Sequence, residues 1–172
     1  MKALKLLAII PTLILIIPQE IYALEDKDVQ ISIVTLTVPP ACRLTITSPD
    51  VSKTTNNASF DAGYMEFDIG SPDLKVWSNS SWKLSARSTG FTGPYDKPAT
   101  DLMLKDLGAK HVTNGFTGYK SLTNNDQEIA SYNKGVKSET HPCQYKVLLD
   151  WEKDAPGTYS ATVTYTLTTN AS

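Results

Sequence analysis

The clearest alternation of apolar and polar positions lies near the C-terminus. In "GTYSATVTYTLTT", Tyr159, Ala161, Val163, Tyr165 and Leu167 alternate with Ser160, Thr162, Thr164, Thr166 and Thr168. Successive side chains of a strand point to opposite faces, so this stretch predicts a strand with an apolar inner face and a hydroxyl-rich outer one. Just upstream, "CQYKVLLDW" places Tyr145, Val147, Leu149 and Trp151 on one face. The connection "EKDAPG" contains Pro156 and Gly157. That composition predicts an antiparallel hairpin with a longer loop.

At the other end, "VQISIVTLTV" alternates through Val29, Ile31 and Ile33, then slips phase to Val34, Leu36 and Val38. A one-residue slip is what a bulge or a change of sheet produces. Pro39 and Pro40 close the run, and Cys42, Leu44 and Ile46 begin the next alternation. Further strands are predicted at "YMEFDIG", "DLKVWS", "WKLSARS", "LMLKD" and "EIASYN", separated by turn-forming segments. "VWSNSSWKLSARS" reads as a hairpin turning at "SNSS", with Val76, Trp82, Leu84 and Ala86 toward the core and Trp77 on the opposite face. No segment sustains a helical period. Many short strands between turns predict a single all-β, immunoglobulin-like antiparallel sandwich, with a closed barrel as the alternative architecture.

The first residues, "MKALKLLAIIPTLILIIPQEIYA", carry Lys2 and Lys5, an apolar run from Leu6 to Ile17, and a short polar stretch ending at Ala23. This predicts a signal peptide over residues 1–23, leaving 24–172 as one sandwich domain. Pro11 and Pro18 interrupt the run, which is also short for a membrane span. The whole chain has a net charge of −2; without Lys2, Lys5 and Glu20 it keeps 14 basic and 17 acidic residues, a net −3. Without a basic cluster there is no electrostatic case for nucleic acid or anionic lipid, and no membrane insertion of the mature chain is expected. Cys42 and Cys143 are the only cysteines. In an exported chain they are expected to form a disulfide, with two buried thiols as the alternative. The implied location is secreted, at the cell surface or in the periplasm.

Catalytic signatures are absent: the sequence contains no HExxH, GxSxG, GxGxxG or Walker loop. His111 and His141 stand apart and read as loop residues, and two cysteines with two distant histidines lack metal-ligand spacing. Glu66 with Asp68, and Asp150 with Glu152 and Asp154, have the spacing of a Ca²⁺ site or a glycosidase pair; both sets are read as solvated positions of an acidic protein. Asn57-Ala58-Ser59, Asn79-Ser80-Ser81 and Asn170-Ala171-Ser172 fit the N-glycosylation pattern. The expectation is a protein that is not an enzyme and uses no cofactor or metal.

"WKL", Trp82 to Leu84, and "YKVLLDWEKDAP", Tyr145 to Pro156, resemble the two signature regions of WxL-type bacterial surface domains, with Lys153 where the second motif has leucine. That resemblance implies non-covalent attachment to cell-wall polysaccharide. "PGTYSATVTYTLTT", Pro156 to Thr169, is similar to the closing strand of secreted pilin-like and spore-coat-like β-sandwich subunits. The expected function is a non-enzymatic structural or adhesive module of the cell surface, with cell-wall polysaccharide or other surface proteins as its expected partners. Trp77, Tyr95 and Tyr119 are its candidate ligand contacts, and Trp82, Leu84 and Trp151 its core motif. The alternative is a pilin-like subunit that self-assembles, donating the strand in "DVQISIVTLTVPP" to a neighbour's sheet edge, and a secreted hydrolase is the third reading. The nearby Cys42 and the short Pro39–Pro40 connection favour pairing of that strand within its own domain.

Overall fold

The computed structural model describes residues 32–108 and 110–169. The chain divides into two compact units, Met1–Val38 and Pro39–Ser172. The expected signal peptide lies outside the described residues.

Pro39–Ser172 is a β-sandwich of two antiparallel sheets. Its strands are β1 (Cys42–Thr47), β2 (Tyr64–Glu66), β3 (Asp73–Ser78), β4 (Trp82–Ser88), β5 (Leu102–Asp106), β6 (Lys120–Ser121), β7 (Gln127–Tyr132), β8 (Val136–Leu148) and β9 (Val163–Thr169). The larger sheet runs β1-β3-β8-β5-β6, with β2 also on β8; the smaller runs β7-β4-β9. A short α-helix, α1 (Asn57–Ala62), starts where the Asn56 side chain accepts from the Ser59 N–H and ends at Gly63, whose φ of 76° suits a residue without Cβ. Among the described residues no helix is long and apolar enough to cross a membrane.

Period-2 patterning sets the core. Leu74 and Val76 of β3, Trp82, Leu84 and Ala86 of β4, Leu102 and Leu104 of β5, and Cys143, Tyr145 and Val147 of β8 are all buried and form one cluster. Across it, the hydroxyls of Tyr145 and Tyr165 meet at 2.7 Å.

Both expected hairpins are corrected by the topology. β8 and β9 lie in different sheets, and so do β3 and β4. The segment between β8 and β9 is long enough to pass from one sheet to the other. At "SNSS", Asn79 does not close a two-strand turn: its Oδ1 accepts from the Ala41 N–H at 2.7 Å and its Nδ2 donates to the Pro39 carbonyl at 2.9 Å. The corner therefore anchors the entry to β1.

The expected Cys42–Cys143 disulfide is also corrected: both thiols are free, Cys42 exposed and Cys143 buried. Cys42 is level with Ser78 at one end of β3, whereas the Cys143 N–H bonds the Pro72 carbonyl at the other. Six residues along a strand span about 20 Å, and two strand spacings add about 10 Å laterally. A disulfide needs Cα atoms within about 7 Å.

The N-terminal alternation forms no strand over residues 32–40, and Val29 and Ile31 lie outside the described residues. Ile33, Val34, Leu36 and Val38 are 65–89% exposed.

Candidate functional site

A sandwich has two long seams where the edges of its sheets face each other, and here the two differ. Along one, the segment between β5 and β7 fills the opening. The Thr113 N–H bonds the Ile129 carbonyl, the Ser131 N–H bonds the His111 carbonyl, and the Leu122 N–H bonds the Leu102 carbonyl. That segment delivers Phe116 and Leu122 into the core, both fully buried.

The other seam lies between β1 and β9. Leu44 and Ile46 pair with Val76 and Leu74, both fully buried, so register turns them inward. Val163, Tyr165 and Leu167 pair in the same way with Ser88, Ala86 and Leu84. Yet no residue of β1 or β9 is buried, and Ile46 remains 39% exposed. Each strand hydrogen-bonds a strand on one side only among the described residues. At one end the two edges approach, with the Cys42 Sγ 3.9 Å from the Leu167 carbonyl. These features define a seam, here called the β1–β9 groove, of part-exposed apolar side chains between two strands that pair on one side only among the described residues, the arrangement that accepts an added strand.

The candidate contacts expected from sequence are dispersed. Trp77 lies on the outer face of β3, with the Arg43 guanidinium 4.3 Å from its ring centroid and the Lys75 ammonium 5.7 Å away. Two cations therefore lie against its part-exposed ring. Tyr119 lies with Lys146 and Lys105, at 4.9 and 5.7 Å from its ring. Burial and the Glu66 carboxylate push its phenol up to about 12. Tyr95 is 63% exposed on the β4–β5 loop.

Trp82 and Leu84 are core residues as expected, but Trp151 is not: it is 58% exposed. β8 ends at Leu148, and the chain turns before the face carrying Tyr145 and Val147 can extend that far. Trp151 instead packs against Phe60, the rings tilted by 33° with centroids 4.6 Å apart, and its Nε1 donates to Asp61 at 3.3 Å.

Two polar clusters were not anticipated. His141 is no loop residue: it lies on β8, fully buried, with Nδ1 2.7 Å from Asp106 Oδ2 and Nε2 3.3 Å from Glu139 Oε1. Glu139 reaches on to His111 Nδ1 at 2.7 Å, and the His111 ring stacks on Tyr132 with centroids 3.7 Å apart. The signal was available in the parity of "THPCQYKV", which sets His141 in phase with Cys143 and Tyr145. With His141 and Asp106 sealed from solvent, the chain of contacts ties the sheets together and offers no access to a substrate. In the second cluster, buried Lys97 makes two 2.8 Å bonds to the Asp154 carboxylate and lies 3.2 Å from Asp101. Asp68 is 91% exposed and Asp150 pairs with Lys153, which holds its carboxyl below the usual range. Among the described residues no group of three or more His, Cys, Asp or Glu side chains could hold a metal ion.

No family model matches the chain, so neither the WxL-type nor the spore-coat-like resemblance gains support there. No curated protein matches it either. Among solved structures, it is similar to a chain from a chaperone-usher pilus, in a study of the molecular basis of rod uncoiling. The two share 14% identity with a TM-score of 0.42, over 86% of this chain and 98% of that one.

Proposed function

We propose that this protein is a secreted, non-enzymatic surface subunit that self-assembles by strand addition, the N-terminal segment of one copy occupying the β1–β9 groove of the next. The observation that carries this reading is the asymmetry of the seams: Phe116 and Leu122 close one, while Leu44, Ile46, Val163, Tyr165 and Leu167 stay part-exposed along the other. The chain also carries a segment of matching chemistry. "VTLTV", Val34 to Val38, alternates apolar and hydroxyl side chains as β9 does, and its apolar members are solvent-exposed. Backbone hydrogen bonds to the groove edges would supply affinity, and the alternation would set register.

A synthetic peptide spanning Asp28 to Pro40 tests this with a variant lacking residues 24–38. The peptide should raise the variant's melting temperature in a concentration-dependent way, because a ligand of the folded state stabilises by mass action. A peptide with Val34, Leu36 and Val38 changed to aspartate should have no effect. An unchanged melting temperature with the native peptide, in a variant that folds, would exclude the groove as the acceptor.

A further inference from the structure

A second binding site lies away from the groove. We propose that the cleft between the β4–β5 loop and the β8–β9 connection binds an uncharged polyhydroxylated ligand, a neutral sugar unit of a glycan. The cleft has a volume of about 310 Å³ and is lined by Tyr95, Asp96, Asp101, Asp150 and Lys153, with Lys97 and Asp154 at its base.

Three observations carry this assignment. First, Tyr95, which lines the cleft, is 63% exposed; Trp151, next to the lining residue Asp150, is 58% exposed with its ring packed on Phe60. An aromatic ring left in water beside a concave polar surface, as Tyr95 is, has the amphipathic character that stacks on the C–H face of a sugar. Second, the loop bearing Tyr95 is braced before any ligand arrives. Buried Lys97 ties it to Asp154, Phe91 bridges to Lys97, and Thr92 bridges to Ser160. Gly157 packs so closely on Pro94 that an added Cβ would meet the proline ring at 2.2 Å, and one on Gly93 would meet Tyr159 at 2.5 Å. A braced platform loses little conformational entropy on binding. Third, four aspartates against two lysines give the lining a net charge of −2. Carboxylates accept hydrogen bonds from hydroxyl groups and Lys153 can donate one, whereas an anionic glycan meets repulsion.

The test is two-dimensional NMR titration of the folded protein with cellotetraose, mannotetraose and chitotetraose, with oligogalacturonate and cadaverine as anionic and cationic probes. At least one neutral oligosaccharide should shift resonances of residues 95–101 and 148–154. Tyr95→Ala should weaken that binding about tenfold, the loss of one aromatic contact. Trp77→Ala, on the outer face of β3, should leave it unchanged. Tyr95 is exposed, so its truncation should preserve the spectrum elsewhere. No response to any neutral sugar, a stronger response to oligogalacturonate or cadaverine, or equal affinity in Tyr95→Ala would each overturn the assignment. None of these outcomes bears on the β1–β9 groove.

Discussion

The hydroxyl of Tyr145 on β8 lies 2.7 Å from that of Tyr165 on β9, a hydrogen bond joining the two sheets. Removing one partner leaves the other hydroxyl without that bond between the sheets. Tyr165→Phe or Tyr145→Phe should therefore each cost about 1–3 kcal/mol in urea unfolding, while the double variant should lose much less than the sum, since it leaves no unpaired hydroxyl. Additive losses would show that the two groups do not interact.

The same pair sets an alkaline limit. Burial raises the titration of both phenols, and Tyr119 is pushed up to about 12. Unfolded tyrosines titrate near 10. Between those limits the unfolded chain releases protons that the folded protein keeps, so stability is complete below about pH 10 and falls as pH rises toward the folded values. Denaturation midpoints measured from pH 8 to 11.5 should be flat and then decline. Ionisation of Tyr145 and Tyr165 at pH 10.5 in a protein still folded, read as tyrosinate absorbance lost in the Tyr145→Phe and Tyr165→Phe variants, would contradict this.

The thiols should behave as two isolated groups. Burial, reinforced by the Asp106 and Asp73 carboxylates, pushes the Cys143 thiol well above its ordinary range, and Cys42 is exposed. An alkylating reagent should label one site, Cys42, in the native protein and a second only after denaturation. Linked peptides containing both cysteines would contradict the fold's register.

Lys97 and Asp154 are an ion pair whose side chains are 7% and 8% exposed. Lys97→Met leaves the Asp154 carboxylate buried without its partner and should cost about 3–5 kcal/mol. Lys153→Met removes an exposed partner of Asp150 and should leave the unfolding midpoint unchanged.

These residues also show what sequence conveys about this fold. Alternation reports which way a side chain points, so Val76, Trp82, Leu84 and Ala86 were legible as core residues, and His141 and Asp106 could have been. Alternation does not report which strand lies alongside. β8 and β9 read as a hairpin because both are amphipathic and adjacent in sequence, yet their apolar faces oppose each other from separate sheets. Cysteine count suggested a bridge that strand register forbids. The groove was legible only as a spare alternating segment near the N-terminus; that β1 and β9 leave a seam uncovered depends on topology. Lys97 was illegible because its closer partner, Asp154, comes from a different loop, while Asp101 follows on its own.

Strand addition between copies is tested most directly by sizing the protein purified from its native source with light scattering, and by electrophoresis in SDS without heating, beside a Leu36→Asp variant. Leu36 is 83% exposed, so the change should leave the monomer folded while placing a charge where a donated strand must enter an apolar groove. The account predicts a ladder of SDS-resistant multimers from the native protein and a folded monomer from the variant. A native protein that remains monomeric at every concentration, or a ladder that Leu36→Asp leaves intact, would contradict it.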